Sequence, residues 1–248
     1  MRKLGAIILA AGRGSRMKSK TANKVTLSLA DKPIILHAID LLEKMGFKLI
    51  VVVVGFAKDS VINIVKHPIV VFAEQAKRLG TAHAVKCGLT QIPDDITDVV
   101  VMNGDDSAFY TEELVSQLTG IHFSSNAAVT FLTLQLDTPF GLGRVIRDSA
   151  GKVMEIVEEK DATNEQRKVN EINAACYVFS TKFLKKYIKK VEKSPVTGEY
   201  YIVNLIELAA KNGEKIETMQ GGSSPWRGVN SKEELEEAER LYLKINGG

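Results

Sequence analysis

Apolar and polar positions follow two alternating patterns along the first half of the chain. Short, mostly apolar runs of the kind that form buried strands occur at residues 4–9, 49–54, 69–72, 98–102 and 127–133. Between them, apolar residues recur at helical spacing at residues 34–44, 59–65, 82–89 and 111–118. This alternation predicts an α/β fold with a doubly wound, mostly parallel, Rossmann-like sheet.

The second half of the chain has closely spaced strands instead of this alternation. They are predicted at residues 144–147, 153–158 and 172–179. A turn at residues 149–151, Ser-Ala-Gly, joins the first two. We expect these strands to form a small antiparallel addition beside the main sheet. Helices are predicted at residues 181–190, 201–211 and 232–243.

Composition narrows the class of partner. The chain has 248 residues and a formal net charge of only +3, without a Lys/Arg cluster interleaved with aromatic residues, so no nucleic-acid partner is expected. No apolar run reaches membrane-spanning length and the chain begins without a signal-peptide pattern, so we expect no membrane partner and a cytoplasmic location. Cys87 and Cys176 are too far apart for a Cys-x-x-Cys pair and are expected in the core. His67 and His122 are expected at the surface.

The most informative motif directly follows the first predicted strand. It reads Leu-Ala-Ala-Gly-Arg-Gly-Ser-Arg-Met at residues 9–17, with Lys24 just downstream. Small residues at a strand end let backbone N–H groups approach phosphates, and Arg16 and Lys24 add the positive charge that a triphosphate needs. The spacing matches neither the dinucleotide-binding fingerprint nor the P-loop. An ordinary glycine-rich turn with solvated basic residues is the alternative interpretation.

A second candidate site, Asn103-Gly104-Asp105, follows another predicted strand. Because ligands bind at the carboxyl ends of parallel strands, we expect Asp105 at the same sheet edge as the glycine-rich segment. Asp105 could ligate a metal, or it could only make a turn or cap a helix. The nearby glycine-rich segment favours the metal role. Asp106 is a second candidate ligand, but a solvated loop carboxylate is the simpler expectation.

The glycine-rich motif and further segments resemble one enzyme family. The segments, in chain order, are Gln-Ala-Lys-Arg-Leu-Gly-Thr-Ala-His-Ala at 75–84, Asn-Gly-Asp at 103–105, Gly-Leu-Gly-Arg at 141–144, Ile-Val-Glu-Glu-Lys-Asp-Ala-Thr at 156–163, Glu-Ile-Asn at 171–173, Gly-Glu-Tyr-Tyr at 198–201 and Gly-Val-Asn at 228–230. Together they resemble the sugar-1-phosphate nucleotidyltransferases, most closely the N-terminal pyrophosphorylase domain of bacterial N-acetylglucosamine-1-phosphate uridyltransferase.

This resemblance implies a nucleotide-diphospho-sugar transferase fold and an enzymatic activity. A single nucleotidyltransferase domain would span residues 1–248. Residues 1–135 would mainly bind the nucleotide, residues 136–230 the sugar, and residues 231–246 would form a closing helix. The implied reaction is Mg²⁺-dependent transfer of a nucleotidyl group from a nucleoside triphosphate, with UTP favoured, to a sugar 1-phosphate, with N-acetylglucosamine 1-phosphate favoured. A nucleotide sugar and pyrophosphate would form, as in UDP-sugar biosynthesis.

The resemblance also implies roles for individual residues. The catalytic charges would come from Arg16, Lys24 and Asp105, and Mg²⁺ would be held by Asp105 and Asn230. The nucleotide would contact Leu9, Ala10, Ala11, Gly12, Gln75, Gly80, Thr81 and Gly104. The sugar would contact Gly143, Glu158 and Asn173.

Departures from the family pattern leave the substrate open. Arg78 stands where the uridyltransferases tend to have a glutamine, and Ala174 and Ala175 replace a Thr-Gly pair. Glucose 1-phosphate or a phospho-alcohol is therefore an alternative acceptor. A different alternative is a non-catalytic regulatory subunit with the same fold. The oligomeric state is not predicted.

Overall fold

The computed structural model describes residues 2–14, 21–221, 229 and 231–246. Its strands are β1 (Leu4–Ala10), β2 (Ser28–Leu29), β3 (Lys32–Pro33), β4 (Ile50–Val54), β5 (Val70–Glu74), β6 (Asp98–Asn103), β7 (Val129–Gln135), β8 (Arg144–Arg147), β9 (Val153–Val157), β10 (Glu171–Ser180) and β11 (Ile216–Gln220). Its α-helices are α1 (Ile34–Lys44), α2 (Lys58–Ile64), α3 (Thr81–Leu89), α4 (Glu112–Ser125), α5 (Asn164–Arg167), α6 (Thr181–Tyr187), α7 (Asn204–Lys211) and α8 (Lys232–Asn246).

The described residues form one large sheet with the strand order β11-β7-β10-β6-β1-β4-β5. Neighbouring strands are parallel in the pairs β6–β1, β1–β4, β4–β5 and β11–β7. Strand β10 runs antiparallel to both of its neighbours, β6 and β7. The prediction of a mostly parallel sheet is therefore confirmed, with one reversed strand near its centre.

Helices cover both faces of this sheet. Along β1, Ile7 packs in a core cluster with residues of α3, α6 and α7, whereas Ile8 packs in a second cluster with residues of α1 and α4. Successive side chains of a strand point to opposite faces, so each strand contributes to both clusters. All five residues of β4 are buried, as a strand covered on both faces requires. The doubly wound arrangement is confirmed.

The antiparallel addition consists of the hairpin β8–β9, which joins the main sheet where Ile172 of β10 pairs with Arg144 of β8. The expectation that the strand at residues 172–179 also belongs to this addition was wrong, because it forms β10 and pairs with β6 and β7 inside the main sheet. A separate small sheet pairs β2 with β3. Neither that small sheet, nor β11, nor α5 was predicted, because each is short or mostly polar. Along the described parts of the chain, no helix is both long and apolar enough to traverse a bilayer.

The structure corrects the expectation that His122 lies at the surface. Helix α4 continues beyond the predicted end at residue 118 and reaches Ser125. His122 therefore lies on this helix and contacts the first residue of β6 and a residue of β7. Its ring is fully buried, with Nδ1 3.0 Å from Thr130 Oγ1 and Nε2 3.1 Å from Asp98 Oδ1. Cys176 is buried as expected, while Cys87 is only partly buried.

Candidate functional site

A cleft opens at the carboxyl ends of β1 and β6. From β1 the chain proceeds to β4 and β5 on one side, and then returns to β6 on the other side of β1. Crossovers that leave a strand in opposite directions create a crevice beyond its carboxyl end, where α/β proteins bind ligands. The cleft has a volume of about 620 Å³.

Most of the predicted catalytic and nucleotide residues line this one cleft. They are Leu9, Ala10, Ala11, Gly12, Lys24, Gln75, Gly80, Thr81 and Asp105. Gly104 lies directly beside it, since its backbone N donates to Leu9 O at 3.0 Å. Arg16 and Asn230 lie outside the described residues.

The segment after β1, residues 11–14, packs closely against the loop after β4. The backbone N of Phe56 donates to Ala11 O at 3.1 Å. A Cβ atom on Gly55 would lie 2.9 Å from both the Cβ and the carbonyl oxygen of Ala11, so only glycine permits this approach. By contrast, a Cβ atom on Gly12 would meet no atom within 4 Å, because this residue faces the open cleft. The two loops therefore form one wall of the cleft.

Asn23 fixes this wall and was not identified from the sequence. Its side chain is 1% exposed and its amide Nδ2 donates to Ala10 O at 2.8 Å, Phe56 O at 2.9 Å and Gly12 O at 3.2 Å. Its Oδ1 accepts from Val25 N at 3.2 Å and caps the short 3-10 turn Lys24–Thr26. Asn23 thus connects the ends of two strands to the turn that carries Lys24.

Lys24 and Asp105 meet across the cleft. The Lys24 ammonium forms an ion pair with Asp105 Oδ2. Both side chains are mostly buried, since 14% of the Lys24 side chain and 15% of the Asp105 side chain are exposed. Lys24 Nζ also donates to Val229 O at 3.3 Å, and the backbone N of Val229 donates to Asp105 O at 3.3 Å. Val229, which directly precedes Asn230 in the sequence, is therefore held against Lys24 and Asp105.

Asp106 is buried, which corrects the expectation of a solvated loop carboxylate. Only 5% of the residue is exposed, and Asn103 and Tyr110 donate hydrogen bonds to its carboxyl oxygens at 3.5 Å and 3.4 Å. Burial, together with the neighbouring charge of Asp105, raises the pKa of Asp106 well above its usual value. Asp105 faces the cleft and Asp106 faces the core, so the two adjacent carboxyl groups have different surroundings.

At the other end of the cleft, Gln75 is held by two partners. Its Nε2 donates to Gly80 O at 2.9 Å and to His83 Nδ1 at 3.0 Å. Burial lowers the pKa of His83, which favours the neutral ring that can accept this hydrogen bond. The hydrogen-bond partner of His83 is therefore a residue that lines the cleft.

The second half of the chain also reaches this cleft, through Glu199 and Tyr200. A Cβ atom on Gly80 would lie 2.4 Å from Tyr200 O, and Gly80 has a φ of +104°, so glycine is required there for two reasons. Tyr200 N donates to Leu79 O at 2.7 Å and Ala82 N donates to Tyr200 O at 2.9 Å. Glu199 consequently lines the cleft, although it was not predicted as a site residue.

The predicted sugar residues form a separate group. The backbone N of Asn173 donates to Gly143 O at 3.0 Å, and Asn173 Nδ2 donates to the Tyr177 hydroxyl at 2.5 Å. Glu158 follows the end of β9, and its charge interacts with that of Glu199. These three predicted residues do not line the cleft described above.

A strained alanine lies within this group. Strand β10 has an irregular register between Asn173 and Tyr177, and Ala175 inside this bulge has a φ of +56°. We expect Ala175→Gly to stabilise the fold by about 0.5–1 kcal/mol, because an L-residue is strained in the left-handed region. The neighbouring Ala174, which is fully buried without a positive φ, is the control. In equilibrium denaturation, Ala174→Gly should be destabilised, and a loss of stability in Ala175→Gly would contradict this account.

Glu158 gives a pH-dependent prediction. Burial, and then the charges of Asp161 and Glu199, raise its pKa to about 7 from 4.5. The folded state then binds more protons than the unfolded state between these values, so stability falls as pH rises through this window. Full ionisation costs up to about 3 kcal/mol. Glu158→Gln should therefore be more stable than wild type at pH 8, and this difference should be much smaller at pH 5.

Glu159 provides the matched control for this measurement. Its carboxylate accepts a hydrogen bond at 2.7 Å from Arg144, whose side chain is 2% exposed. Burial by itself would raise the pKa of Glu159, but the hydrogen bond from Arg144 and the nearby positive charges lower this pKa below its usual value. Urea denaturation at both pH values should show Glu159→Gln destabilised at pH 8. If Glu158→Gln also lost stability at pH 8, the assigned environment of Glu158 would be wrong.

The donor groups in the cleft fit a magnesium ion that arrives with a substrate. Among the described residues, no group of three or more His, Cys, Asp and Glu side chains could hold a metal ion. Mg²⁺ commonly uses only one or two protein carboxylates and completes its coordination with water and substrate phosphates. The Asp105 carboxylate in the cleft is a donor of this kind.

Comparisons with known proteins agree with this geometry. The family model described as the MobA-like NTP transferase domain matches residues 6–166. The chain is 41% identical to the bifunctional protein GlmU of Caldicellulosiruptor saccharolyticus over 97% of its length, and 37% identical to that of Thermoanaerobacter pseudethanolicus over 98%. It spans about half the length of these relatives, since it covers 52% of each.

A solved structure shows the same fold at lower identity. It is the crystal structure, with sucrose bound, of a Bacillus anthracis protein provisionally assigned as a glucose-1-phosphate thymidylyltransferase. The TM-score is 0.82 at 23% identity, and the match covers 99% of this chain and 97% of the other. The family model covers well over half of the chain, and its residues include the strands and loops that build the cleft. The chain therefore belongs to the MobA-like NTP transferase family.

Proposed function

We propose that this protein transfers a nucleotidyl group from a nucleoside triphosphate to a sugar 1-phosphate and releases pyrophosphate. The observation that carries this proposal is the pairing of Lys24 with Asp105 in a cleft that the glycine-rich segment borders. UTP and N-acetylglucosamine 1-phosphate are the favoured substrates, and Mg²⁺ is the favoured cofactor.

The reaction needs charge neutralisation more than a nucleophilic side chain. A phosphate oxygen of the sugar 1-phosphate attacks the α-phosphorus, the bond from the α-phosphorus to the bridging oxygen breaks, and pyrophosphate leaves with that electron pair. Both the attacking and the leaving group are anionic, so catalysis depends on positioning and electrostatic stabilisation. Lys24 and Arg16 would hold the triphosphate, together with backbone N–H groups around Gly12.

Asp105 and Asn230 would hold Mg²⁺, which when bound neutralises phosphate charge and orients the two substrates. Support for Asp105 comes from its place in the cleft, and support for Asn230 comes from the contacts of its neighbour Val229 with Lys24 and Asp105. Lys24 pairs with the Asp105 carboxylate, so its ammonium group would lie beside the same phosphates that a metal on Asp105 would neutralise.

For the base, we propose Gln75 with Gly80 and Thr81. A glutamine amide provides both a donor and an acceptor, which match the imide edge of uracil. Because Gly80 O and His83 Nδ1 use the two N–H groups of Gln75, its Oε1 is the atom left to accept from the N3–H of uracil, and these contacts hold it in place. For the sugar we propose Gly143, Glu158 and Asn173. Gly143 precedes β8 and accepts a hydrogen bond from Asn173 near the start of β10, and Glu158 directly follows β9. The nucleotide half, residues 1–135, and the sugar half, residues 136–230, then meet where Glu199 lines the cleft.

Glucose 1-phosphate is a second candidate acceptor. The structurally similar Bacillus anthracis protein carries a glucose-1-phosphate thymidylyltransferase assignment. Ala174 and Ala175 follow Asn173 in the bulge of β10, and neither has a side-chain donor for the oxygen of an N-acetyl group. A smaller sugar substituent, such as the hydroxyl of glucose, would not need such a donor.

Pyrophosphate release measured with Mg²⁺ tests the proposal. UTP, dTTP, CTP, ATP and GTP are each combined with N-acetylglucosamine 1-phosphate, glucosamine 1-phosphate and glucose 1-phosphate. Release confined to UTP and N-acetylglucosamine 1-phosphate is the expected result, while release with another pair would keep the reaction and change the substrate. Release with none of them would overturn the proposal and favour a phospho-alcohol acceptor or a non-catalytic subunit.

A further inference from the structure

Two arginine side chains lie over one aromatic ring at the mouth of the cleft. The guanidinium carbon of Arg13 is 5.7 Å from the centroid of the Phe56 ring, and that of Arg78 is 5.9 Å from it. Both arginines also line the cleft. The three residues come from three separate loops, after β1, β4 and β5, so the fold brings them together.

Neither arginine has an acidic partner within the part of the chain that the structure describes. By contrast, two buried or partly buried arginines elsewhere have acidic partners. Arg144 pairs with Glu159 at 2.7 Å, and Arg147 pairs with Glu171 at 2.7 Å. Arg13 and Arg78 are both exposed. The mouth of the cleft therefore has two positive charges that no described carboxylate neutralises, and such a pair favours a ligand with several negative charges.

Hydrogen bonds to two neighbouring segments hold the backbone of Phe56. Its backbone N donates to Ala11 O at 3.1 Å, and its carbonyl oxygen accepts from Asn23 Nδ2 at 2.9 Å. The close approach of Gly55 to Ala11 fixes the preceding residue as well. An aromatic ring on a fixed backbone, in contact with two long, exposed side chains, restricts the positions that their guanidinium groups adopt.

The contact with a ring leaves the hydrogen-bonding groups of an arginine available. A guanidinium that lies over an aromatic face uses its own flat face for the contact, and its N–H groups point outward in the plane. These groups match the spacing of phosphate oxygens and bind them in pairs. Arg13 belongs to the glycine-rich segment that borders the cleft, so the phosphate end of a nucleotide is the end that these two groups would meet.

We propose that Phe56 is a positioning residue that holds the guanidinium groups of Arg13 and Arg78 for the terminal phosphates of the nucleoside triphosphate. The same groups would bind the pyrophosphate that leaves. This assignment rests on the proposed function for the identity of its ligand. It adds two cations, Arg13 and Arg78, to the site, besides the ion pair of Lys24 with Asp105.

Calorimetric binding tests this role without requiring turnover. The ligands are UTP, UMP and inorganic triphosphate, each with Mg²⁺, and the variants are Phe56→Leu and Phe56→Tyr. Phe56→Leu should weaken binding of UTP and inorganic triphosphate by about fivefold to tenfold, because the contacts with both arginines are lost. Binding of UMP, which lacks the terminal phosphates, should be unchanged. Phe56→Tyr keeps the ring and should bind all three ligands like wild type.

A second comparison separates positioning from a general structural role. The double variant Arg13→Gln/Arg78→Gln should weaken UTP binding more than Phe56→Leu does, and adding Phe56→Leu to it should cause no further loss. A further loss in that background, or an equal loss of UMP and UTP binding in Phe56→Leu, would overturn the positioning role. If wild type bound none of the nucleoside triphosphates, the proposed function would fail instead, and inorganic triphosphate would still decide the role of Phe56.

Discussion

Replacing Asp105 by asparagine is expected to lower the rate of nucleotidyl transfer by a factor on the order of 10²–10³. The substitution keeps the size of the side chain and removes the negative charge that would hold Mg²⁺. It also removes the ionic partner of Lys24. Steady-state pyrophosphate release with the best substrate pair measures the loss. We expect only a modest change in thermal stability, because Asp105 faces the cleft and asparagine can still accept a hydrogen bond.

Asp106→Asn is the matched control, since it makes the same chemical change one residue further along. The Asp106 carboxyl is buried and does not line the cleft, so an amide of the same size leaves the groups that face the cleft unchanged. This variant should keep most of the activity. Equal losses in the two variants would contradict the separate roles of the two carboxyl groups, and full activity in Asp105→Asn would remove Asp105 from the catalytic machinery.

The second large effect is expected for Asn23→Ala, which should destabilise the fold by about 2–4 kcal/mol. The substitution leaves the carbonyl groups of Ala10, Gly12 and Phe56 without the donor that they share. It also removes the cap of the turn that carries Lys24. The rate of transfer should fall by about tenfold or more, because a small displacement of a positioned group costs activity steeply. Urea denaturation and pyrophosphate release measure the two effects.

Ser60→Ala is the control for Asn23, because it removes one peripheral contact of the same network. Ser60 Oγ accepts from the backbone N of Asn23 at 3.0 Å and donates to Ala57 O at 2.7 Å. Its loss should cost about 1 kcal/mol and leave the rate of transfer nearly unchanged. If Asn23→Ala were no less stable than Ser60→Ala, the side-chain amide of Asn23 would not be what holds the two loops together.

The sequence predicted much of the parallel half of the sheet because its strands are continuous apolar runs. Strand β4 and helix α1 were placed within one residue of their observed bounds. The position of β10 could not be predicted in the same way, since its pairing with β6 joins residues that are far apart in the chain. Strand β11 has only two apolar residues in its five, Ile216 and Met219, and gives little signal.

The sequence likewise predicted only some of the residues of the candidate site. Residues within motifs, such as Lys24, Gln75 and Asp105, were predicted, and the structure brings them to one cleft. Asn23 and Phe56 were not, because a buried asparagine resembles an ordinary turn residue in sequence and a phenylalanine after a strand resembles a core residue. Their significance depends on which loops lie side by side. The roles of all these residues remain predictions.

The place of β10 in the sheet bears on how the chain folds during its synthesis. A ribosome releases β6 and β7 well before β10, yet these two strands pair with β10 and not with each other. Until residue 180 has emerged, β6 and β7 present unpaired edges, which are sites of aggregation. The region that the family model matches ends at residue 166, before β10 begins at Glu171. Expression of that region alone would therefore leave β6 at an unpaired edge and β7 without a partner strand, because β11 also lies outside the region.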